Sequence, residues 1–166
     1  MSAKNILSEM QQEFVATQNL LEIIPEDRLD FKPHEKAMTL GQLAFHVAES
    51  PGRNLLFARD GHVEAAVITE HPIPSSKNNI LEAFRKSTAL AETILDDSNT
   101  DWISNNQWVL KASGNSIAEM PVIVYIRTFV LNHWYHHRGE LTTYLRMLNV
   151  KLPSIYGPTA DVNPFA

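Results

Sequence analysis

Asn132-His133-Trp134-Tyr135-His136-His137-Arg138-Gly139-Glu140-Leu141 lies inside the longest uninterrupted apolar-periodic run of the chain, and three of the seven histidines fall within five of its residues. In a helix the i,i+4 pair His133 and His137 shares one face, with the imidazoles about 40° apart around the axis. That geometry suits two ligands of one metal ion. The surrounding stations Ile123, Ile126, Val130, His133, His137, Leu141, Tyr144 and Leu148 keep three- and four-residue steps, so both histidines should face the core of a helix. Its start is expected between Ser116, which heads a capping-box pattern with Glu119, and Pro121, and its end at about Asn149. Gly139 inside such a helix costs about 1 kcal/mol relative to alanine, which points to close approach of a neighbouring helix or a ligand.

Working outward, residues 3 to 24 carry Ile6, Leu7, Met10, Phe14, Leu20, Leu21 and Ile24 at mostly helical spacing before Pro25 stops the pattern. A polar, proline-bounded connection containing His34 leads to Thr39, a candidate N-cap. The second helix should begin near Leu40, carry Leu43, His46 and Val47 on its inner face, and break or kink at Ser50-Pro51-Gly52. From Asp60-Gly61-His62 to about Ser76 the chain reads as loop, and His62 and His71 have no partner at ligand spacing. A third helix is expected from Lys77 to about Asp97, capped by Ser75 or Ser76. Gln107-Trp108-Val109-Leu110 reads as a short extended piece in the punctuated segment that follows. The fold class expected is all-α: one domain over residues 1–166, four helices with one long crossover connection, and a C-terminal tail packed back through Ile155 and Tyr156.

Composition narrows the function. The 166 residues, 44% hydrophobic and 20% charged, are ordinary for a soluble globular domain. With a net charge of −5 and no basic patch, the footprint of a nucleic-acid binder is missing. The chain has no cysteine, which excludes thiolate metal sites and a cysteine nucleophile, so a metal would have to be held by His, Asp and Glu. Neither a signal-peptide core nor a membrane-length apolar run is present, and a cytoplasmic protein without a membrane partner is expected.

Burying imidazoles in an apolar stripe is costly unless their nitrogens find partners, and a divalent ion satisfies several at once. The third ligand should come from a facing helix, where His46 is the candidate. Three protein ligands leave an open position, as catalytic sites require. His136 points about 60° from His133 and about 100° from His137, flanking the pair. Glu140 is expected to be a solvated helix-surface carboxylate rather than an orienting partner, and Glu49, one turn after His46, is a weaker candidate base or fourth ligand. There is no Gly-rich phosphate loop, no His-Glu-x-x-His pattern, no Gly-x-Ser-x-Gly elbow and no Glu-x-x-His pairs of di-iron bundles.

These residues resemble the DinB-like family, related to the YfiT-like metal-dependent hydrolases. The resemblance rests on Thr39-Leu40-Gly41-Gln42-Leu43-Ala44-Phe45-His46-Val47-Ala48-Glu49, on Asn132 to Leu141, and on Pro153-Ser154-Ile155-Tyr156-Gly157-Pro158-Thr159-Ala160-Asp161, with Pro25 to Pro33 similar to the family's first loop. It implies an up-down-down-up four-helix bundle and one divalent ion, zinc or nickel, on His46, His133 and His137. Glu140 departs from the glutamine common at that place in the family. The function implied is metal-dependent hydrolysis or transfer to a low-molecular-weight thiol, on a small-molecule substrate. A non-catalytic metal-binding or structural stress-response protein is the alternative, and a homodimer is expected in either case.

Overall fold

The computed structural model describes residues 2–96 and 99–165. The first helix, α1 (Ala3–Glu22), is capped by Ser2, whose hydroxyl accepts from the Asn5 amide, and it buries Ile6, Met10, Leu20 and Leu21. A turn of 3-10 helix (Glu26–Arg28) precedes α2 (Leu40–Asp60). Thr39 and Gln42 form a reciprocal capping box: the Gln42 amide donates to the Thr39 hydroxyl, and the Gln42 side chain accepts from the Thr39 N–H at 3.1 Å.

After α2 come β1 (His62–Glu64), the short α3 (Ala65–Ile68) and α4 (Lys77–Leu95), the last capped by Ser76. The segment expected to be loop therefore holds a strand and a helical turn. The end at Asp97 expected for the third helix lies outside the described residues. Next follow α5 (Trp102–Asn105), β2 (Gln107–Ala112) and β3 (Asn115–Pro121). β2 pairs with β1 in parallel and with β3 antiparallel, so the chain is mostly helical with a small three-stranded sheet rather than all-α.

The strand β3 overturns the expected helix start. Ser116 and Glu119 do not cap anything; they pair with Lys111 and Val109 across the hairpin. The physical reason is the turn: Ser113 (φ 50°) and Gly114 (φ 79°) both adopt left-handed conformations, the two-residue connection whose twist matches paired strands. Helix begins only after Pro121, as α6 (Val122–Tyr125). It continues through a seven-residue π-helical stretch, Ile126–Asn132, into α7 (His133–Met147). The expected plain α-helix thus carries a wider turn immediately before His133.

Pro51 does not break α2 either. A proline inside a helix removes one donor and loosens the local ladder, but Ser87 of α4 repairs it. The Gly52 N–H donates to Ser87 Oγ at 2.8 Å, and Ser87 Oγ donates to the Glu49 carbonyl at 2.9 Å. The two helices touch so closely that a Cβ on Gly52 would sit 2.4 Å from the Ser87 carbonyl oxygen. This contact holds the stretch of α2 that carries His46 against its neighbour.

Two apolar clusters fill the interior. One gathers Ile6, Met10, Leu55, Trp108, Ile126 and Val130 beside the sheet. The other, around Leu20, Leu43, Val47, Trp134 and Leu141, also receives Ile155 of the tail. Tail residue Asp161 takes the Leu152 N–H at 2.9 Å and Arg146 at 2.5 Å. Among the described residues, no helix is long and apolar enough to cross a membrane.

Candidate metal centre

His46 comes from the middle of α2, where Ser50 Oγ donates to its carbonyl at 2.6 Å, and its ring is buried at 8% exposure. His133 and His137 stand one turn apart at the start of α7. The structure brings the three together: one ring nitrogen from each lies within 4.8 Å of the others. Ring centroids are 5.2 Å (His46 to His133), 4.6 Å (His46 to His137) and 4.4 Å (His133 to His137), with every pair of rings close to perpendicular. The three rings therefore meet as three walls of a corner.

Nε2 of His46 and Nε2 of His133 are 3.0 Å apart. Metal–nitrogen bonds of about 2.0–2.1 Å place the vertices of a tetrahedron roughly 3.3 Å apart, so this spacing fits two ligands of one ion. Protonation points the same way. Burial, reinforced by the neighbouring histidines, pushes His46 down to about 3 and His133 to about 4. Burial also lowers His137, against the opposing pull of Glu140. The ordinary imidazole value is about 6.5, so near neutrality all three rings are uncharged and present lone pairs. The donor set and its geometry fit a divalent ion.

Glu140, expected to form a solvated helix-surface pair, is 43% exposed and pairs with His136, but it also orients the His137 ring. Its Oε2 lies 2.6 Å from His137 Nδ1, so the Nδ1–H donates to it and the lone pair is left on Nε2. The i,i+3 spacing was the available signal for this. His136 is 64% exposed and 3.5 Å from the other Glu140 oxygen. His136, His137 and Glu140 form a second candidate group within 4.8 Å, but two of its three members sit on the wet side of the helix. Glu49 is given to Arg53 at 2.6 Å.

Two features escaped sequence reasoning. His71, on the connection after α3, has its ring 5.5 Å from that of His46. Gln42 Nε2 tethers it by donating to the His71 carbonyl at 2.9 Å. No spacing rule links residues on a loop and a helix, so nothing local announced it. The second is a pocket of about 230 Å³ that opens beside His46 and His133. Trp108, Tyr125 and Phe129 line one part of it, and Leu110, Met120 and Ile68 another. The three aromatic rings lie within 27° of parallel, with Trp108 and Tyr125 only 4.0 Å apart.

Comparison with known proteins follows the same lines. The uncharacterized protein YrdA of Bacillus subtilis (strain 168) is 25% identical over 158 residues, covering 95% of this chain and 89% of that protein. The crystal structure of a DinB-like protein from Bacillus cereus ATCC 10987 superposes with a TM-score of 0.71 at 22% identity, over 92% of this chain and 97% of that one. The DinB-like protein YjoA of Bacillus subtilis gives 0.68 at 19%, over 90% and 96%. These two structures establish the likeness of fold. The sequence profile of the DinB family matches residues 1–162, and the chain belongs to the DinB family.

Proposed function

We propose that this chain holds one divalent ion, zinc or nickel, on His46, His133 and His137, and works as a metal-dependent hydrolase or thiol S-transferase on a small molecule. The observation that carries the reading is the corner of three uncharged imidazoles beside a pocket. We read the packing of the four long helical segments as a four-helix bundle that presents this corner between α2 and α7.

His46, His133 and His137 would hold the ion, which would supply Lewis acidity for activating a water or thiol and polarising an electrophile. The residues do the rest. Glu140 fixes the tautomer of His137 by accepting its Nδ1–H, so that Nε2 faces the centre. Ser50 anchors the helix backbone under His46. The pocket walls give one flank of the site a mostly apolar lining. Glu49 is engaged by Arg53 and Glu140 by His137, so each carboxylate near the centre already has a partner. That engagement of Glu49 is also the observation that favours the second reading, a metal-binding protein without turnover.

Elemental analysis of protein purified without chelator, beside a His133→Ala, His137→Ala variant, tests the metal. About one equivalent in the wild type and background in the variant is the expected result; background metal in both sinks the reading. Thiol consumption and ester or amide hydrolysis, each with and without added ion, then separate the enzyme from the binding protein.

A further inference from the structure

The pocket beside the histidines has walls more selective than a metal site alone requires. Its aromatic side is three rings stacked almost parallel, Trp108 over Tyr125 at 4.0 Å and Tyr125 to Phe129 at 5.3 Å. They come from β2, α6 and the π-helical stretch, so the wider turn before His133 also sets the place of Phe129. Burial pushes the Tyr125 hydroxyl well above its ordinary value, which keeps this side uncharged.

Two polar side chains at the pocket are already committed, while the buried Trp108 Nε1–H has no partner among the described residues and is a donor for a neutral acceptor. Arg53 bonds the Glu49 carboxylate and the Val67 carbonyl, both at 2.6 Å. Asn54 Nδ2 donates to the Phe129 carbonyl at 3.0 Å. The Arg53 charge is already paired with Glu49, so an anion gains less there than from an unpaired guanidinium, while an uncharged ligand meets a lining that is mostly carbon. Size narrows the choice further: an apolar cavity of about 150 Å³ accommodates benzene, and this pocket measures about 230 Å³. One or two fused rings fit.

From these observations we infer that the pocket binds an uncharged, flat aromatic group of one or two rings, packed against the exposed Phe129 ring at the end of the Trp108 and Tyr125 stack, with its substituent directed to His46 and His133. That the substituent is the reacting end rests on the metal reading above; the ring site itself does not. The substrate class is then a small aromatic electrophile or ester. Stacking of aromatic rings adds roughly 0.5–1.5 kcal/mol to the burial of apolar area, which favours rings over aliphatic groups of equal size.

The probe is 2-naphthol, with 2-naphthalenesulfonate as its anionic counterpart, titrated by calorimetry into the protein as purified, its metal content measured on the same sample. Saturable one-site binding of naphthol, with the sulfonate at least about tenfold weaker, is expected. Ala118→Trp, at an exposed strand position on the pocket rim, should weaken naphthol binding by about tenfold or more without altering the melting temperature or metal content. Failure of naphthol to bind, equal or tighter binding of the sulfonate, or full binding by a folded Ala118→Trp variant overturns the inference. Naphthol binding to protein that carries no metal upholds the ring site and removes the metal reading alone.

Discussion

His137 and Arg138 are consecutive on α7 and face different sides of it, and the two sides solve the problem of buried polarity in opposite ways. Arg138, 2% exposed, has its charge met on every side. It pairs with Glu13 at 2.6 Å, donates to Thr17 Oγ1 at 3.1 Å and to the Glu13 carbonyl at 3.3 Å, and also donates to the Tyr156 hydroxyl. The rings of Trp134, Tyr135 and Tyr156 lie within 5.7 Å of its guanidinium. It ties α1, α7 and the C-terminal tail together. On the histidine side three uncharged rings crowd one another with Nε2 of His46 and Nε2 of His133 turned together at 3.0 Å, and His46 Nδ1, on the far side of its ring, has no partner among the described residues. A satisfied network stabilises a fold, whereas an unsatisfied one persists where a ligand completes it.

The largest effect expected from this contrast is at Arg138. Arg138→Met leaves the Glu13 carboxylate without its counter-charge and should cost about 3–5 kcal/mol, the typical result of removing one partner of a buried pair. Denaturant unfolding of the metal-free proteins measures it. The His133→Ala, His137→Ala variant should lose far less stability in the same assay, because it removes uncharged rings and strands no buried charge: Glu140, the partner of His137, is 43% exposed. Equal losses on the two sides would erase the distinction.

Acid should reach the histidine side next. The folded state holds His46 near 3 and His133 near 4, while an unfolded imidazole titrates at about 6.5. Unfolding therefore takes up protons below that value. The stability these rings contribute is fully present above about pH 6.5 and is lost as pH falls toward 4 and then 3. Metal-free protein should show a falling denaturation midpoint across this window, with a shallower slope in the His133→Ala, His137→Ala variant. Identical slopes would place the acid sensitivity elsewhere.

Glu140 tests how the histidine side is completed. Glu140→Ala removes the acceptor of the His137 Nδ1–H and should weaken metal affinity by about 10- to 100-fold in a competition with a chelator, as is usual for the orienting partner of a ligand histidine. Glu140→Gln keeps an oxygen at that place and should lose less. Stability in the absence of metal should change by under about 0.5 kcal/mol, since the side chain is 43% exposed.

What could be read in the residues depended on how far apart in the chain the cause lay. The His133 and His137 grip follows from spacing on one helix, and the inward station of His46 from the apolar stripe of another. Thr39 was legible as a cap because capping is local. Of the break or kink expected at Pro51 the break is absent, because Ser87, on a different helix, takes the Gly52 N–H. The hairpin was hidden because Ser116 and Glu119 fit a capping box as well as they fit a strand, and the choice was made by the left-handed pair Ser113 and Gly114. His71 and the aromatic wall of the pocket depend on loop path and on the π-helical turn, neither of which has a residue spacing of its own.

Gly139 carries the smallest effect and the sharpest check on what borders this helix. Its place between Arg138 and Glu140 suggested a neighbour too close for a side chain, yet a Cβ built there meets nothing within 4 Å. Nothing in the single chain then requires glycine, and an exposed helical glycine costs about 0.5–1 kcal/mol relative to alanine. Gly139→Ala should raise the free energy of unfolding by that amount and leave metal content unchanged. A loss of stability instead would mean that a second molecule packs against this face in solution. Comparing the sedimentation of wild type and variant would reveal whether that molecule is another copy of the chain, in which case the exposed side of α7, turned away from His133 and His137, borders a subunit interface.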